Sequence, residues 1–106
     1  MSTFPRWIIR LREGESKAGL RYWCDDRGNV IGFDQLDVAL DYLVKNLQPG
    51  MRLHRLKLTE AILLVADMHE SDVAGMCLDP TPGGVCAGII PLEALAAALN
   101  EPLDLD

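Results

Sequence analysis

The chain predicts an α+β domain: an antiparallel sheet of about four to six strands carrying about three helices on one face. Three observations predict it. Apolar residues alternate with period two in the first quarter of the chain; turn chemistry, helix capping and leucine spacing agree across residues 20–47; and a Cys-bearing strand, Gly turn, Val-led strand and helix recur near the C-terminus. At an offset of 55, Gly28, Val30, Ala39 and Leu40 match Gly83, Val85, Ala94 and Leu95, which suggests two hairpin-plus-helix units sharing one core.

The first strand is read at Arg6–Arg12, with Trp7, Ile9 and Leu11 on one side and Arg6, Arg10 and Arg12 on the other. A polar connector, 13–19, leads to a second strand in which Leu20, Tyr22 and Cys24 alternate with Arg21 and Trp23. The two are expected to pair antiparallel. Asp25-Asp26-Arg27-Gly28-Asn29 supplies a turn-starting Asp and a Gly for positive φ, and Val30, Ile31 and Phe33 carry the return strand.

Asp34 is then placed to cap a helix, with Gln35 and Asp37 in its first turn. Leu36, Leu40, Leu43 and Leu47, flanked by Ala39 and Val44, form the expected core stripe, while Asp41 and Lys45 make an i,i+4 pair outside it. Gln48-Pro49-Gly50 ends the helix. Residues 51–58 read as a strand with a bulge near His54, and Thr59-Glu60 as the start of a second helix. The run 61–70 is apolar nearly all round, so it is buried as helix or central strand; its Ala, Leu, Met and Glu favour helix. A second hairpin spans 73–90 with a loop at Asp79–Gly84 that sets Cys77 opposite Cys86, and Pro91 opens an Ala-rich helix to Asn100 with the stripe Leu92, Leu95, Leu99.

With 106 residues, 49% hydrophobic and 25% charged, the chain is expected to be one domain, 1–106, frayed at 1–5 and 101–106. It has no apolar run of about 18 residues to cross a membrane and no N-terminal apolar signal core, so a cytoplasmic location is expected and a membrane partner is not. Three cysteines at unrelated spacings argue against a secreted disulfide framework. In a reducing cytosol Cys77 and Cys86 are expected as small buried thiols rather than a bridge.

Net charge is −6, which disfavours nucleic acid and anionic surfaces, but the charge is polarised. All ten Lys and Arg lie between Arg6 and Lys57, and every charged side chain from Glu60 onward is acidic. A sheet face bearing Arg6, Arg10, Arg12, Arg21 and Trp23 would suit an acidic partner or stacked bases; Asp67, Glu70, Asp72 and Asp79 would suit a basic one. Each set is equally explained as a solvated surface.

Candidate chemistry is thin. Cys24, Cys77, Cys86, His54 and His69 contain no C-x-x-C or H-x-x-x-H pair to seed a zinc site, so no metal or other cofactor is expected. His69-Glu70-Ser71-Asp72 is adequately explained as a polar helix end, and Gly83-Gly84 lacks the spacing of a phosphate loop. The expectation is therefore a non-catalytic protein-interaction module, similar only in size and acidity to small inhibitor, immunity or adaptor proteins. The alternatives are a nucleic-acid accessory protein using the basic face and a small enzyme using Cys24 or Cys77. Apolar surface closing a homodimer is also compatible with the pattern.

Overall fold

In the computed structural model, which describes residues 4–11 and 22–100, five strands form one mixed sheet in the order β3-β1-β2-β4-β5. The elements are β1 (Trp7–Arg10), β2 (Val30–Phe33), α1 (Leu36–Asn46), β3 (Arg52–Arg55), α2 (Leu58–Glu70), β4 (Gly75–Leu78), β5 (Gly88–Pro91) and α3 (Leu92–Ala98). The α+β class and the numbers of strands and helices are as expected. The sheet is mixed because β2 runs parallel to β4, while the β1–β2, β1–β3 and β4–β5 pairings are antiparallel.

The helices occupy both faces, not one. Ile8, Val30 and Met76 point to the α2/α3 side, where they pack with Ala61, Leu64, Met68, Leu95 and Ala98. Their neighbours Ile9, Ile31 and Cys77 point the other way, toward Ala39 and Tyr42 of α1. Successive residues of a strand face opposite sides, so a strand covered on both must be apolar throughout. Val30-Ile31-Gly32-Phe33 is such a strand, buried at all four positions. Phe4 and Pro5, expected to fray, are buried as well.

Of the expected strand from Leu20 to Cys24, residues 20 and 21 lie outside the described residues, and 22–24 make isolated bridges rather than a strand. β1 and β2 pair at Trp7↔Phe33 and Ile8↔Gly32 and then part, and residues 22–24 fill the gap. Arg10 bridges Tyr22, Cys24 bridges Val30, and the Trp23 N–H and carbonyl bond Ile9 and Ile31 on either side. The turn after it follows the sequence closely. Asp25 Oδ1 accepts from the Arg27 and Asn29 N–H groups at 2.9 and 2.8 Å, and Gly28 has φ +85°.

α1 differs from expectation in both its cap and its buried face. The N-cap is Gln35, and the acceptor for the free N–H groups comes from a distant element: Asp79, just after β4, takes bonds from Asp34 and Gln35 through Oδ1 at 2.9 and 3.4 Å. Its buried residues are Ala39 and Tyr42 rather than the leucines. Tyr42 stacks obliquely on Phe33 with centroids 5.6 Å apart and accepts a 3.0 Å bond from Trp23 Nε1.

β3 pairs with β1 without a bulge, from Trp7↔Arg55 to Arg10↔Arg52. Residues 58–70 are helix, starting two residues earlier than the Thr59 cap predicts. Lys57 is the N-cap, and Glu60 Oε1 accepts from its N–H at 2.9 Å. The β4–β5 loop is longer than predicted, so Cys77 pairs in register with Ile89. Cys86 lies in that loop yet reaches Cys77, and the two form a disulfide with Cα atoms 5.5 Å apart, in place of the expected free thiols. α1 and α3 end on opposite faces, so the two hairpin-plus-helix units do not stack in one layer.

Candidate interaction surface

α1 carries apolar side chains over a wider arc than the sheet covers. At about 100° per residue, Leu36, Leu40, Val44 and Leu47 fall within about 80° of its circumference. Leu40 lies about 200° round the axis from Tyr42, which faces the core. The row is correspondingly open: Leu36 is 43% exposed, Leu40 46%, Val44 74% and Leu47 63%. Half-buried Leu43 joins it to the core cluster that includes Leu53 and Trp7. Beside the row run Asp37, Asp41 and Lys45, the last two paired at 3.3 Å as the spacing predicts. Sequence reasoning placed this row in the core. α2 also exposes Leu58, Ile62 and Leu63, but Leu63 sits about 100° from Ile62, so no row of similar length results.

The predicted basic face is not assembled among the described residues. Arg10 shares the α2 side of the sheet, where its guanidinium lies 4.0 Å from Glu60. Trp23 belongs to the α1 side, bonded to Tyr42. Arg6 is exposed and its charge acts on Asp34; Arg12 and Arg21 lie outside the described residues. What joins Arg10 is β3: register puts Arg52 and His54 on its face and Arg55 on the other, over the Trp7 ring at 5.9 Å. An edge strand rich in cations was the available signal, since charge discourages edge-to-edge pairing.

His54 Nε2 lies 2.6 Å from Glu60 Oε2. Burial pushes the Glu60 carboxyl up, but the Lys57 N–H, His54 and Arg10 outweigh it and hold the group below its ordinary range.

The predicted acidic set is dispersed too. Asp67 is half-buried and accepts a long 3.5 Å bond from the Tyr22 hydroxyl, while Glu70 and Asp72 are exposed at the end of α2. Asp79 is occupied at the start of α1, past the other end of β4. Asp34 beside it is raised, first by burial and then by the Asp79 charge, against the pull of Arg6. His69, Glu70, Ser71 and Asp72 form the exposed end of α2.

Cys24 is the free cysteine, and burial with the adjacent Asp25 charge pushes its thiol up to about 11, the wrong direction for a thiolate nucleophile. Between the 25–29 turn, α1 and the 82–89 segment opens a cleft of about 630 Å³, walled by Trp23, Asp25, Tyr42, Asn46, Val85 and Cys86. No described helix is long and apolar enough to cross a membrane.

These features define a small α+β domain whose most continuous unexplained surface is an apolar helix flank. No known family model and no characterised protein sequence matches the chain.

Proposed function

We propose that this domain is a non-catalytic protein-interaction module of inhibitor, immunity or adaptor type, and that it docks through the outer flank of α1. The observation that carries this reading is the open row Leu36, Leu40, Val44 and Leu47. Four large apolar side chains held in water on one helix flank cost free energy that a partner surface recovers, and contiguous exposed apolar surface marks interaction sites. The row has the anatomy of an interface, an apolar centre with a charged rim of Asp37, Asp41 and Lys45.

The occupant is a protein presenting an apolar centre within a basic surface. Net charge of −6 attracts such a partner over a distance and opposes close approach of a second copy. It likewise opposes nucleic acid. A cytoplasmic location goes with this reading.

The test is parallel affinity capture from the native cell by the unaltered chain, by Leu40→Glu/Val44→Glu and by Arg10→Ala/Arg52→Ala. The expected result is one stoichiometric basic protein, resistant to nuclease, lost from the α1 variant and retained by the arginine variant. Capture unaffected by the α1 variant, capture lost on nuclease treatment, or sedimentation of the pure chain as a dimer would each overturn it.

A further inference from the structure

We propose that the reduced domain holds a thiophilic divalent cation, of which Zn²⁺ is the type, between Cys77, Cys86 and Asp25. The ligand atoms of these three residues lie within 4.8 Å of one another although they come from three separate segments: the 25–29 turn, β4 and the β4–β5 loop. The two sulfurs can reach one ion, since their Cα atoms are 5.5 Å apart. A bridge between two sulfurs needs no carboxylate beside it. Here one is present and oriented, because Asp25 Oδ1 is held by the Arg27 and Asn29 N–H groups, the kind of outer support that fixes a ligating carboxylate. Two thiolates and one carboxylate form a three-donor set of the sort zinc takes with a solvent molecule in its fourth position. Asp25 and Cys86 line the 630 Å³ cleft, which gives ion and solvent a route in.

The disulfide is the oxidised form of the same site. A low-molecular-weight thiol attacks Cys86, which is half-exposed while Cys77 is buried, forming a mixed disulfide and releasing the Cys77 thiolate. A second thiol displaces Cys86 and leaves as the small-molecule disulfide, so two electrons pass from the small thiols to the protein sulfurs. Binding of Zn²⁺ to the two thiols then releases two protons to solvent.

The test uses the full chain in a Cys24→Ala background, reduced, freed of reductant and titrated anaerobically with Co²⁺ and then Zn²⁺. Thiolate-to-cobalt charge-transfer absorption is the readout, with near-ultraviolet circular dichroism to verify the fold. The expected result is one equivalent of Co²⁺ displaced by one of Zn²⁺, no such band in Cys86→Ser, and affinity reduced about tenfold or more by Asp25→Asn. Asp25→Asn keeps an acceptor oxygen for the turn, and Asp26→Asn, its neighbour, should bind as the parent does. Absence of the band in the folded reduced parent, or an undiminished affinity in Asp25→Asn, overturns the proposal. Neither result bears on docking through α1.

Discussion

Single side chains join parts of this fold that lie far apart in sequence, and the consequences are measurable. Asp79 has φ +45° and accepts bonds from the N–H groups of Asp34 and Gln35, the residues leading into α1, from 45 and 44 residues away. Asp79→Ala should cost about 1 kcal/mol, the scale of losing a helix cap. Asp79→Asn should cost less, since Asn keeps an acceptor and tolerates positive φ; urea denaturation measures both. Glu60 is held below the ordinary carboxylate range, so the sign of its linkage is fixed. Its stabilisation is complete above the unfolded-state value, about 4.3, and is lost as pH falls through the lower folded value. Glu60→Gln should therefore flatten the fall in stability as pH drops below the unfolded-state value of about 4.3, measured by denaturant titration at each pH. The local roles of Asp25 and Gly28 were legible because a turn is decided by nearby residues. The roles of Asp79 and Trp23 were not, because their partners are brought to them by the tertiary fold.

The elements themselves were more legible than their orientation. The leucine spacing of α1 reveals a helix, but its apolar arc spans more than half the circumference, and period alone leaves open which part meets the sheet. Side-chain size and a polar partner decide it: Ala39 allows close approach, and Tyr42 finds both the Phe33 ring and the Trp23 N–H. Leu40→Glu/Val44→Glu should accordingly change stability by no more than about 0.5 kcal/mol, whereas Leu64→Ala in α2 should cost about 2–5 kcal/mol; thermal melts compare them. At Gly75 a Cβ would collide with the Ile90 carbonyl across the β4–β5 pair. Gly75→Ala should cost about 1–3 kcal/mol by the same measurement, as the strands must separate to admit it.

For the whole molecule, the residue pattern indicated the α+β class, and the mixed topology was the harder inference. β2 and β4 are neighbours separated by α1, β3 and α2, so no local pattern announces their parallel pairing. A clue was nonetheless present in Val30-Ile31-Gly32-Phe33, which has no polar position and therefore demands cover on both faces. Among the described residues, two-sided cover also leaves α1 as the one helix on its side of the sheet, while α2 and α3 share the other. A lone helix shields less of its own flank, and the exposed row follows from that layout. The most direct measurement is photo-crosslinking in the native cell with a photoreactive side chain at position 44 and, as controls, at positions 52 and 62. Docking through α1 predicts a discrete heterologous protein adduct from position 44 alone. No adduct there, an adduct at twice the chain mass, or equal yield from position 52 or 62 would contradict it.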